Sequence, residues 1–161
     1  RDNDPVIFCE HKSLYGLKGE VQEGSYAIPF NEANVVREGG DVTVVAIGMM
    51  VHKALEAATA LAKEGIQCEV IDPRTTSPLD LDTIIESVEN TGRLGVVDES
   101  NPRCSMAADI SAQVTEQAFS SLKGPVRMVT APHCPPPFSD VLEDLYIPSP
   151  EKIAEAVRSL K

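Results

Sequence analysis

From Ala33 onward the chain alternates between two hydrophobic periods. "ANVVRE", "VTVVAIG", "CEVID", "RLGVVD" and "VRMVTA" are short runs rich in β-branched residues, bounded by polar or Gly/Pro positions, and read as strands. Between them apolar residues recur three and four apart. Val51–Ala62 places Val51, Leu55, Ala58, Leu61 and Ala62 on one helical face and stops at Gly65. Leu81–Val88 is a second helix, capped by Asp80 or Asp82 and ended near Gly92. Met106–Leu122 is a third, with Ser105 as its cap. A short helix lies around Val141–Leu145. The last begins after Ser149 with Pro150 in its first turn, and carries Ile153, Ala154, Val157 and Leu160. Strands alternating with helices require right-handed crossovers and a parallel sheet covered on both faces, and the unbroken apolar run "VTVVAI" fits such burial. The "GGD" at Gly39–Asp41 reads as a tight hairpin joining "ANVVRE" to "VTVVAIG".

The first 32 residues have a different texture. "VIFCE" is strand-like, but no partner strand follows nearby. "HKSLYGLKGEVQEGSYAIPFNE" has no period and reads as a linker. The expected organisation is therefore a remnant strand and linker over 1–32, then a domain over 33–161. The absence of an initiator methionine points the same way, to a piece of a longer product.

Composition narrows the function classes. The 161 residues can bury a real core, and no apolar run approaches the roughly 20 residues of a membrane span. No signal peptide is evident, and the four cysteines show no C-x-x-C pair. Cys9 and Cys68 lie in strand-like runs, where the thiol acts as a small hydrophobe. All four are expected to be reduced, in a cytoplasmic protein. The net charge of −11 argues against nucleic acid, whose phosphates demand a basic surface.

Ligands of such sheets bind beyond the carboxyl ends of the strands. Four loops belong there: 48–50, 72–78, 98–105 and 132–140. They gather Asp72, Arg74, Glu99, Arg103, Cys104, His133 and Cys134. No G-x-G-x-x-G and no P-loop is present. "GGDV" is no diphosphate motif, because no helix start follows it. Cys104, His133 and Cys134 offer soft ligands but lack a fourth partner and a known zinc spacing. Cys104 before a helix, with His133 as base, would make a nucleophile, but no strained-turn motif supports that reading. His52 reads as a solvated position in the first helix. Arg74 and Arg103 are expected to pair with Asp72, Asp98 and Glu99 in an ion-pair network. Pro135–Pro137 stiffen their loop and present Phe138, which suits a contact surface.

Longer motifs point to a family. "EHKSLYG", "VVREGGDVTVVAIG", "EVIDPRTTSPLD" and "TGRLGVVDE" resemble the C-terminal part of the beta subunit of thiamine-dependent 2-oxo acid dehydrogenases, along essentially the whole chain. "DESNPRCSMAADI" and "TAPHCPPPFSDVLEDLY" are most similar to the acetoin branch; pyruvate and branched-chain members usually start the third helix with a Gly-rich stretch. The resemblance implies a three-layer α/β/α, transketolase C-terminal-like fold. Its five-stranded sheet would be mostly parallel, with "ANVVRE" as an antiparallel edge and "VIFCE" left over from a pyrimidine-binding domain.

The resemblance also implies that catalysis lies elsewhere. The whole enzyme would hold thiamine diphosphate and magnesium, with the activating glutamate earlier in the beta chain and the metal motif in an alpha subunit. This stretch would serve as a scaffold, contacting an alpha subunit, a second beta subunit and the basic binding domain of an acyltransferase core. His11 and Tyr15 are the residues expected near the substrate entrance. Glu99, Asn101, Arg103, His133, Pro136, Phe138 and Tyr146 are the expected interface. Exposed apolar side chains there, with Leu142, Tyr15 and Leu17, would allow a weak homodimer of the chain itself. The rival readings are a free-standing flavodoxin-like binding module, a pyruvate or branched-chain 2-oxo acid dehydrogenase beta subunit, and a Cys–His hydrolase.

Overall fold

The computed structural model describes residues 3–5, 7 and 9–161. The elements run β1 (Asn34–Arg37), β2 (Val42–Ala46), α1 (Met49–Ala62), β3 (Cys68–Asp72), α2 (Leu81–Thr91), β4 (Leu94–Asp98), α3 (Met106–Ala118), β5 (Arg127–Thr130), α4 (Asp140–Tyr146) and α5 (Pro150–Arg158). Short 3₁₀ turns lie at Lys12–Leu14 and Phe119–Ser121. The five strands form one sheet in the order β1-β3-β2-β4-β5. Every pair is parallel except β1 with β3.

Alternation along each strand builds the two cores. Val42, Val44, Ala46, Val70 and Val97 face α1 and α5, packing on Met50, Ala54, Leu61, Ile153 and Val157. Val45, Ile71, Leu94 and Val96 face the other way, onto Ile84, Val88, Ile110 and Val114 of α2 and α3. All five residues of β2 are buried, as are all five of β4, because helices cover both faces. Thr43 is the polar exception in β2. Its hydroxyl meets Ser87 Oγ at 2.6 Å and Thr91 Oγ1 at 2.8 Å, so this buried group is satisfied. Cys68 is buried too, and burial pushes its thiol up to about 11, partly offset by Arg37. It behaves as a small core hydrophobe.

Several expectations need correction. Gly39–Asp41 does not turn a hairpin: β1 pairs antiparallel with β3, with Val35 opposite Ile71, and lies at the sheet edge. A tight turn would force β1 against β2, but both edges of β2 are taken by parallel partners. Of "VIFCE", Val6 and Phe8 lie outside the described residues, whereas Ile7, Cys9 and Glu10 are exposed and in no strand. Cys9 is therefore no buried hydrophobe. Helix α1 starts two residues earlier than periodicity suggests, at Met49, since Gly48 leaves β2 with φ 58°. Helix α3 stops at Ala118 and tightens into a 3₁₀ turn before Leu122.

The caps follow the sequence. Ser105 Oγ accepts from Ala108 N, and Ser149 Oγ accepts from Lys152 N, with Pro150 in the first turn of α5. Asp80 caps α2, accepting from Thr83 N and Thr83 Oγ1, and also accepts from Ala33 N at 2.8 Å. It therefore fixes both a helix start and the point where the N-terminal segment joins the sheet. Burial pushes its carboxyl up, but the bonds from Ala33 and Thr83 outweigh this and hold it below the usual range. Asp80→Ala is expected to cost about 1–3 kcal/mol in urea unfolding at neutral pH. A depressed folded-state carboxyl adds stability above its unfolded value near pH 4 and loses it as pH falls through the folded value. The gap between wild type and variant should therefore be constant down to roughly pH 5 and shrink below about pH 4.

Candidate functional site

The parallel strands carry their following loops to one edge of the sheet. Strands β2 and β4 are neighbours there, but their chains leave in opposite directions: α1 covers one face and α3 the other. This is the topological switch point, where such sheets usually bind ligands. Here the chain itself reaches it. His11 Nε2 lies 2.8 Å from Glu99 Oε1, just past β4, and the His11 ring stands beside Gly48, just past β2. The pair is part-buried. A cleft of about 350 Å³ opens beside it, with His11, Ser13, Glu99, Pro136, Glu143 and Tyr146 among its walls.

The other expected residues scatter around that edge. Tyr15 is exposed, one turn beyond His11, and its hydrogen bond to Glu10 raises its hydroxyl above the usual value. Asn101 Oδ1 accepts from Arg103 N. Arg103 is exposed and forms no ion pair among the described residues, and the same holds for Arg74. The expected network with Asp72, Asp98 and Glu99 is absent, because these carboxylates are used locally: Asp72 accepts from Arg74 N, Asp98 from Ser100 N, and Glu99 takes His11. Among the described residues the salt bridges besides His11–Glu99 are Glu64–Arg158 and Asp41–Lys161, both away from this edge.

His133, Cys134 and Pro136 are exposed, and with Asn101 and Tyr146 they line a second cleft of about 320 Å³. Cys104 is exposed with φ 53°, a left-handed position, and no histidine bonds its sulfur. No group of three or more His, Cys, Asp or Glu among the described residues could hold a metal. Phe138 is fully exposed, as expected. Tyr146 is not: it is half-buried, because its hydroxyl donates to Cys134 O at 3.2 Å and folds the ring back on its own loop. Leu142 is exposed as expected, Val141 and Leu145 of α4 are exposed as well, and α4 buries no residue at all. A further cleft of about 430 Å³ along β1 and α2 contains Glu38, Glu69 and Glu86; of its hydroxyls, Thr83 is committed to capping α2 through Asp80 and Ser87 to the buried Thr43.

Among the described residues the edge thus presents loops, one histidine–carboxylate pair and a short exposed helix of mixed apolar and acidic side chains, without an assembled catalytic constellation. Residues 31–153 match the family described as transketolase, C-terminal domain. The chain belongs to this family. The antiparallel edge strand and the family match set aside a flavodoxin-like module. Among curated relatives, the beta subunit of acetoin:2,6-dichlorophenolindophenol oxidoreductase of Cupriavidus necator is 68% identical over 98% of this chain and 47% of its own length. The pyruvate dehydrogenase E1 component beta subunit of Bacillus subtilis is 45% identical over 99% of this chain and 49% of its own. The chain therefore spans about half the length of the curated relatives it matches. Among solved structures, a split-gene transketolase described as an inactive beta4 tetramer aligns with TM-score 0.74 and 28% identity, covering 88% of this chain and 45% of that one. No helix of this transketolase C-terminal domain is long and apolar enough to cross a membrane, among the residues described.

Sequence reasoning named His11 and Glu99 for different roles and missed that they meet. They are 88 positions apart, and no periodicity links them. The sequence places Gly48 in a strand-end loop without linking it to His11, and Ser13 carries no local signal; the positive φ of Gly48 is not legible in a lone glycine.

Proposed function

We propose that this chain is the C-terminal scaffold and subunit-association domain of the beta subunit of a thiamine diphosphate-dependent dehydrogenase, acting on acetoin. One observation carries the reading: the identity to the acetoin oxidoreductase beta subunit, 68% over nearly all of the chain, against 45% for the pyruvate relative. The domain proper starts at Ala33, and the preceding segment links it to a pyrimidine-binding domain. The whole enzyme would cleave its substrate and acylate lipoyl groups in a cytoplasmic multienzyme complex. Thiamine diphosphate and magnesium would be held outside this stretch.

In that assembly the exposed loop and helix, with Glu99, Asn101, Arg103, His133, Pro136 and Phe138, would face the alpha subunit, a second beta subunit or the acyltransferase core. Tyr146 would support that surface from behind. His11 and Tyr15 would lie on the approach to substrate. The charge of −11 suits a basic partner domain.

A graft tests this. The aligned half of the Cupriavidus necator beta subunit is replaced by this chain and co-expressed with its alpha subunit. Acetoin-dependent reduction of 2,6-dichlorophenolindophenol is expected within about tenfold of the parent, a barrier change of roughly 1.4 kcal/mol. The same graft into the Bacillus subtilis pyruvate subunit should lose well over tenfold. A soluble acetoin graft that fails to assemble, or equal tolerance by both hosts, would remove the acetoin reading.

A further inference from the structure

We propose that His11 is this chain's own occupant of the switch-point crevice, a neutral imidazole that latches the N-terminal segment to the end of β4. The latch does not depend on the subunit assembly proposed for the whole enzyme.

The tautomer follows from the partners. Ser13 N–H can only donate, and it points at His11 Nδ1 at 3.3 Å. Nδ1 must then be bare, and the ring's proton sits on Nε2. Nε2–H donates to Glu99 Oε1 at 2.8 Å. Both ring nitrogens are thus used, one inside the segment and one across to the sheet. The first bond caps the 3₁₀ turn Lys12–Leu14. The second fixes that turn to a carboxylate carried just past a fully buried strand.

Position gives the pair its consequence. Between His11 and the strand β1, the segment is exposed except at Leu14 and Ala33, and it next bonds the domain at Asn31 N to Thr75 Oγ1 and at Ala33 N to Asp80. About twenty residues therefore hang between two anchor points, and His11–Glu99 is the outer one. A chain held only at Asn31 would leave the crevice between Gly48 and Glu99 open. With the latch closed, an imidazole sits where a ligand of this fold class would sit. His11 is a positioning residue, acting through Ser13 and Glu99.

Amide hydrogen exchange across Ser13–Leu17 of the full 161-residue chain reads the latch. Glu99→Ala should speed exchange about tenfold, the loss of one well-formed bond to a charged acceptor, and His11→Ala by at least as much, since it also removes the Nδ1 acceptor of Ser13 N–H. The double variant should be no faster than His11→Ala alone, in which the Glu99 bond is already lost. Glu99→Gln is decisive: its side-chain oxygen still accepts from Nε2–H, so exchange should stay within about threefold of wild type. A long-range proton–nitrogen spectrum of the wild type should show Nε2 protonated and Nδ1 bare. If Glu99→Gln opens the turn as much as Glu99→Ala, or Nδ1 carries a proton, the neutral latch is wrong. If neither alanine variant changes exchange, there is no latch. The spectrum and Glu99→Gln decide the matter even if an alanine variant folds poorly.

Discussion

Gly39→Ala is expected to destabilise the domain by more than about 3 kcal/mol and to lower its melting temperature by roughly 10 °C. The same change one residue on, at Gly40, should cost less than about 0.5 kcal/mol. A β-carbon at Gly39 would run into the backbone of Cys68 and Glu69, closer than side chains approach. That backbone belongs to β3, which is held between β1 and β2 and cannot retreat without breaking a ladder on one side. At Gly40 nothing lies within 4 Å. Backbone entropy alone would favour alanine at both positions, so the contrast between neighbours isolates the steric term. Thermal melts of the two variants check it. Equal stabilities would mean that β1 does not approach the start of β3 as described.

The second large effect concerns the surface left bare by α4. Phe138 is 102% exposed and Leu145 69%, with Val141 and Leu142 beside them and Asp140, Glu143 and Asp144 between. Burying one phenylalanine removes roughly 150–250 Å² and yields about 1.5–3 kcal/mol before association costs. Those costs are large, and −11 charges per chain repel. Weak self-association that strengthens from low to high salt is therefore expected in sedimentation experiments, because screening weakens repulsion and leaves apolar burial intact. Phe138→Ser combined with Leu145→Ser should weaken it by more than about tenfold. Wild-type chain that stays monomeric at high salt and high concentration would show that this face does not pair with a second copy.

Much of the architecture is written locally in the chain. The β-branched runs and 3.6-residue periods mark five strands and the main helices, because burial on two faces leaves little choice but continuous apolar strands. Ser105 announces itself as a cap, the start of α2 narrows to Asp80 or Asp82, and Pro150 marks the start of α5, since helix starts are set by bonds within three or four residues. The motifs around "EVIDPRTTSPLD" point to the family that residues 31–153 match.

What tertiary structure alone decided was long-range pairing. Two glycines and an aspartate look like a hairpin; the edge strand instead crosses to β3, because β2 has no free edge to give. Charges close in sequence look like an ion-pair network; each carboxylate instead finds a nearer backbone donor or, for Glu99, a histidine 88 residues away. Tyr146 reads as a contact residue by type, and only the fold shows its hydroxyl donating to Cys134 O. Local patterns fix which residues turn inward and how helices begin. Which polar groups meet at the carboxyl edge depends on how separate loops are brought together by the sheet order, and no window of the sequence contains that distance.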